Sequence, residues 1–116
     1  MRHHKSNRIF GRKSGQRRAL LRSLARSLIL HNGIKTTEAK AKELRPFIET
    51  LVTKAKHDTV SSRRLLMSRL HSTEAVKMLC ADISPRYEKR AGGYTRIVKL
   101  PYRKSDASSQ AYIEFV

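Results

Sequence analysis

A chain of 116 residues with 39% hydrophobic content has room for one domain and one core, which excludes a multidomain enzyme and makes global disorder a poor description. Its 26 Lys and Arg stand against 9 Asp and Glu, a formal net charge of +17, and such an excess weakens the compact state by self-repulsion unless a polyanion offsets it. The longest apolar runs, such as Leu28 to Leu30 and Leu65 to Met67, are too short to span a bilayer, so no membrane role is expected.

Ten of the 26 basic residues precede the first carboxylate, Glu38. Residues 1–15, MRHHKSNRIFGRKSG, mix Arg2, His3, His4, Lys5, Arg8, Arg12 and Lys13 with two glycines and only Ile9 and Phe10 as sizeable apolar groups. That composition predicts an extended basic arm ordered by phosphates, followed by one globular domain over residues 16–116. No apolar stretch follows the basic opening, so it does not read as a secretory signal.

A first helix is expected from about Gln16 to His31, capped by Ser14 and stopped by Asn32-Gly33. Leu20, Leu21, Leu24 and Leu28 would face inward, with Arg18, Arg22 and Arg26 as a cationic ridge roughly opposite and Arg17 beside it. No acidic i, i+4 partner accompanies the ridge, which favours phosphate binding over an ordinary solvated face. Ile34 to Thr36, with Lys35 at its centre, suits a short strand. Thr37 is then placed to cap a second helix reaching about Lys56, with Ala41, Leu44, Ile48, Leu51, Val52 and Ala55 as its apolar stripe. Pro46 lies inside that helix and predicts a kink or a frayed turn.

A third helix over about Ser61 to His71 turns Leu65, Leu66 and Leu70 inward and carries Arg63, Arg64 and Arg69. A fourth runs from about Thr73 to Ile83, capped by Ser72 and closed by Ser84-Pro85, with Val76, Leu79, Cys80 and Ile83 on one stripe. Cys80 is thus read as a small buried hydrophobe. A lone cysteine excludes an internal disulfide or a multi-cysteine zinc site and fits a reducing compartment, cytoplasm or an organelle matrix. Period-two patterning over Tyr94 to Leu100 and Ala111 to Val116 predicts a hairpin with a long basic loop holding Arg103 and Lys104. Gly92-Gly93, shortly after Arg90, opens the first of these strands, as a turn needing positive φ, as backbone lying against a sugar-phosphate chain, or as both. Tyr94 could pack on a helix or touch RNA, whereas Tyr102 in the loop is the better stacking residue.

No phosphate loop, dinucleotide fingerprint, nucleophile elbow or zincin pattern is present, so neither an enzyme nor a cofactor or small-molecule substrate is expected. The five histidines, His3, His4, His31, His57 and His71, lack metal-ligand spacing, and no metal site is expected. A basic nucleic-acid-binding protein remains, and the composition alone leaves RNA binding and DNA compaction both open.

The segments MRHHKS, QRRALLRSL, KTTEAKAKELR, SSRRLL, RAGGYTRIVK and AYIEF occur in this order along the whole chain. In that order the sequence resembles the bacterial-type large ribosomal subunit protein seventeen family. The resemblance implies an α+β fold, a two-layer α/β sandwich of order helix, strand, three helices, two strands. It also implies a non-enzymatic constituent that binds large-subunit rRNA near the nascent-chain exit region, with neighbouring ribosomal proteins as further partners. By the same resemblance Arg2, His3, Lys5, Arg8 and Arg12 match a basic opening that threads into rRNA, and Arg17, Arg18 and Arg22 the basic start of the first helix. Gly92, Gly93, Tyr94, Thr95 and Arg96 match a glycine-rich strand start. Ser105-Asp106, Pro46 and Pro101 depart from the family pattern.

Overall fold

A computed structural model of the chain describes residues 13–116. Helix α1 spans Ser14–His31, strand β1 Gly33–Thr37, helix α2 Glu38–Ala55, helix α3 Val60–Leu70 and helix α4 Thr73–Met78, followed by strands β2, Thr95–Leu100, and β3, Gln110–Phe115. This is the expected α+β arrangement of four helices and three strands. The sheet is antiparallel throughout in the order β1-β3-β2, so the strand nearest the carboxyl end is the central one. Ile34 and Ile97 both lie opposite Ile113, which places three β-branched side chains in one row toward the helices.

Local chemistry explains the boundaries. Asn32 ends α1 in the left-handed conformation at φ 64°, one residue before Gly33. Ser14 is the first helical residue rather than the cap; Lys13 occupies the cap position, and its backbone N–H donates to Gln16 Oε1 at 3.4 Å. Thr37 caps α2 by accepting from the Lys40 N–H at 3.4 Å, and Ser72 caps α4 by accepting from Ala75 at 3.2 Å. Thr59 and Ser62 exchange side-chain and backbone bonds at the start of α3, a reciprocal cap that begins the helix one residue earlier than its apolar pattern suggests.

Two irregularities differ from the sequence expectation. Helix α2 runs unbroken through Pro46, without a frayed turn, because its stripe of Ala41, Leu44, Ile48, Leu51, Val52 and Ala55 is buried along its full length. Tertiary packing therefore holds what local propensity opposes. The fourth helix does not stay α-helical to Ile83: Leu79–Ile83 form a wider π-turn and Ser84–Tyr87 a tighter 3-10 turn, so Pro85 sits inside helical structure rather than closing it. Ser84 Oγ donates to Cys80 O at 3.1 Å within this stretch.

One contiguous core joins Ala25, Leu28 and Ile29 of α1, the α2 stripe, Leu66 and Leu70 of α3, and Ala111, Ile113 and Phe115 of β3. Cys80 is buried in it as expected, and burial pushes its thiol pKa up. Among the described residues, no helix is long and apolar enough to cross a membrane.

Candidate nucleic-acid interface

The buried residues of α1 are Ala25, Leu28 and Ile29, while Leu20 and Leu21 are only half-buried. An α-helix drifts only ~20° over seven residues, so Arg18 points nearly where Ala25 points, two turns earlier. The expectation of an arginine ridge opposite the core is thereby corrected. Arg18 and Arg22 overhang the core side of the molecule, where the first two turns of α1 extend beyond the packed interior. They meet α2 and α3 there instead of facing away from them.

That overhang forms a groove. Gly15, Arg18, Leu21 and Arg22 of α1, Phe47 of α2, and Ser68 and Arg69 of α3 enclose about 620 Å³. A second volume of about 410 Å³ adjoins it, lined by Ser14, Arg17, Glu43 and Pro46 as well as Arg18, Leu21 and Phe47. Arg22 Nε donates to the Arg69 carbonyl at 3.1 Å and ties the α1 wall to the end of α3. Arg17 Nε is buried and, among the described residues, has no hydrogen-bond partner. The first turn of α1 holds no acidic residue, so Lys13, Arg17 and Arg18 gather at the positive end of its dipole. Cations there are disfavoured in the free protein and are relieved by a bound anion.

Five of the nine carboxylates are paired away from this groove, whereas Glu43 lines the volume that adjoins it. Among the described residues, Glu38 pairs with Lys42 and Lys99, Glu49 with Arg45, Asp58 with Arg63, Asp106 with Arg103, and Glu114 with Arg96. None of these pairs involves Arg17, Arg18, Arg22, Arg26, Arg64 or Arg69. The hydrogen bond from Lys42, aided by Lys99, holds the Glu38 carboxyl below its ordinary pKa. The paired carboxylate of Asp58 likewise raises Arg63. Arg63 and Arg96 are thus partly neutralised within the protein, which weakens them as free phosphate ligands relative to the α1 set.

A second cluster lies at the sheet. Lys35 of β1, Leu100, Tyr102, Arg103, Lys104 and Gln110 line a shallow groove of about 360 Å³ beside the β2–β3 loop. Tyr102 is 71% exposed, as a stacking residue would be. Arg103 closes the loop on itself: its Nε donates to Asp106 Oδ1 at 2.9 Å, and its backbone N–H to Ser108 O at 3.0 Å. Hydrogen bonds to its carboxylate from the Arg103 guanidinium and from Ser108, whose backbone N–H donates to Asp106 Oδ1 at 3.1 Å, lower the Asp106 pKa to about 2.

At the glycine-rich turn the positive-φ reading is the one the backbone shows. Gly93 adopts φ +66°, which supplies the conformational reason for a glycine, and a side chain there would meet open space, as at Gly92. For Tyr94 the packing alternative holds, which removes it from the expected RNA-contact residues. It is fully buried, its ring centroid 5.1 Å from that of Tyr87, and its hydroxyl lies 3.2 Å from both Thr53 Oγ1 and Lys56 Nζ and donates to Arg90 O. Lys56 also donates to Arg90 O and stands over the Tyr94 ring, so the Arg90 carbonyl is a structural acceptor while its side chain is exposed. Arg26 is half-buried and Arg64 exposed, both outside the two grooves. Arg2, His3, His4, Lys5, Arg8 and Arg12 lie outside the described residues. Sequence reasoning missed Phe47, Ser68 and Arg69 as groove residues, because only the packing of α3 against α1 and α2 brings them to Arg18 and Arg22.

Comparison with known proteins adds a second line. A family model described as "Ribosomal protein L17" matches residues 20–116. The "Large ribosomal subunit protein bL17" of Gemmatimonas aurantiaca is 52% identical over 116 residues, all of this chain and 98% of the relative. The protein of the same description from a Hydrogenobaculum species is 53% identical over 117 residues, covering all of this chain and 99% of the relative.

Proposed function

Because the chain belongs to the ribosomal protein L17 family, we propose that it is a non-enzymatic constituent of the large ribosomal subunit that binds and stabilises folded large-subunit rRNA. The observation that carries this reading is the set of α1 arginines, Arg17 and Arg18 near the positive end of the helix dipole and Arg22 and Arg26 further along, all outside the ion pairs seen among the described residues. Guanidinium forks pair phosphate oxygens bidentately, and a rigid helix fixes their spacing. Arg18 and Arg22, one turn apart, rise ~6 Å along the axis, a spacing suited to successive phosphates of one strand. The basic side chains of residues 1–12 add positive charge to the chain and would strengthen its attraction to RNA, with the helical body beginning at Ser14. Contacts of this kind position a protein on RNA shape without reading base sequence. The proposal extends to a position near the nascent-chain exit, with neighbouring ribosomal proteins as partners, a reading the family resemblance supports.

The test is co-sedimentation of the purified full chain with ribosomal subunits, followed by competition between large-subunit rRNA transcripts and duplex DNA. Migration with large subunits, released only by high salt, and preference for rRNA are expected. Equal or stronger binding to duplex DNA would replace this reading with DNA compaction.

A further inference from the structure

We propose that the groove between α1, α2 and α3 seats one unstacked nucleotide of the bound RNA, its base against Phe47 and its flanking phosphates on Arg18, Arg22 and Arg69. The inference rests on the RNA-binding reading and adds to it a specific subsite. Phe47 lines both large volumes and also a smaller one of about 90 Å³ toward Leu65 and Lys54, so it is the common floor of the whole depression. It packs against the core from beneath and is only half-buried, which leaves an aromatic surface on a rigid support. Leu21 continues that apolar floor, and guanidinium groups stand on both walls. An aromatic floor flanked by cations is the pattern by which single-stranded nucleic acid is held, with stacking on the floor and phosphate neutralisation at the sides.

Other occupants fit less well. Apart from the first-turn N–H groups of α1 at Ser14 and Gly15, the walls are helices whose backbone groups are bonded internally, so an extended peptide would find few main-chain partners along the groove. A nucleotide needs none, since its polar atoms meet side chains. Ser68 Oγ gives its proton to Leu65 O at 2.7 Å and keeps acceptor capacity for a base amino group. The volume of about 620 Å³ falls in the range of small-ligand sites.

The full chain is bound to large-subunit rRNA transcripts carrying 4-thiouridine, irradiated, digested and analysed by mass spectrometry, and the affinities of Phe47→Leu and Phe47→Tyr are measured against salt. A nucleotide crosslinked within residues 46–51 is expected. Phe47→Leu should lose about tenfold in affinity with the salt slope unchanged, within the range expected for one lost stack, and Phe47→Tyr should bind as the parent does. Crosslinks absent from α2, with Phe47→Leu binding normally, would overturn the subsite while leaving RNA binding intact; this is also the outcome if an acidic protein segment fills the groove. Should Phe47→Leu lose its fold by circular dichroism, the crosslink map of the unaltered chain decides. Failure of the unaltered chain to bind rRNA at all would instead sink the RNA-binding reading.

Discussion

Replacing Arg18, Arg22 and Arg26 together by Gln removes three guanidinium groups that no carboxylate is seen to pair, while keeping good helix-forming side chains in α1. The only described hydrogen bond lost is that from Arg22 Nε to the Arg69 carbonyl, an exposed contact, so the fold should persist. Each phosphate contact contributes roughly 0.7 to 0.9 to the slope of log affinity against log salt, depending on strandedness. If all three groups meet phosphates, the slope falls by ~2 to 3. Over a fourfold change from 50 to 200 mM salt, the triple variant then loses about 20- to 40-fold less affinity than the parent does. Filter binding or fluorescence anisotropy on a large-subunit rRNA transcript across a salt series measures this, with circular dichroism confirming helicity. An unchanged slope with parental affinity would refute the assignment of these arginines to phosphates.

Tyr94→Phe deletes a hydroxyl held among Thr53, Lys56 and Arg90 O, so stability should fall by ~1 to 2 kcal/mol in urea unfolding, with rRNA affinity unchanged. Weakened RNA binding at full stability would restore Tyr94 as a contact residue. Pro46→Ala supplies the missing N–H within α2 and should raise stability by about 1 to 3 kcal/mol, read as a higher urea midpoint; a lower one would mean that the ring's packing outweighs the lost backbone bond. Asp106, held down to about 2 by Arg103 and Ser108, is depressed below its ordinary 3.8. The loop bonds are therefore fully present above the ordinary value and are lost as pH falls through the depressed one. An NMR titration of the Ser108 amide, which donates to Asp106, should show its midpoint near the depressed value, and a midpoint near 3.8 would contradict the loop geometry.

Signals confined to one helix were readable in advance. The six-residue α2 stripe, the Thr37 and Ser72 caps and the Asn32-Gly33 stop all follow from spacing of 3.6 residues and from the hydrogen-bonding reach of short polar side chains. The π-turn at Leu79–Ile83 was not, because an apolar stripe tolerates one extra residue per turn without losing its buried face. Tyr94 stayed ambiguous because its neighbours Gly92 and Gly93 suggest exposure, while its partners Thr53 of α2 and Lys56 just beyond that helix lie some forty residues earlier. The orientation of the α1 arginines turned on where the core ends along the helix axis. Leu20 and Leu21 match the apolar period, yet they lie beyond the tightly packed interior, so the sequence could not show that Arg18 and Arg22 share a side with Ala25. The Phe47 groove, assembled from three helices, had no local signature.

The central position of β3 bears on how the molecule is made. A ribosome delivers β1 early and β3 last, so β1 waits more than seventy residues for the strand that pairs with it, and β2 is idle until the same strand arrives. Pairing this distant in sequence is slow to nucleate, whereas helical turns form locally within microseconds. During synthesis, then, the helices and their uncompensated arginines emerge ahead of the sheet that seals the core. A nascent copy would thus present its α1 arginines on helices before the sheet gives the body its final rigidity.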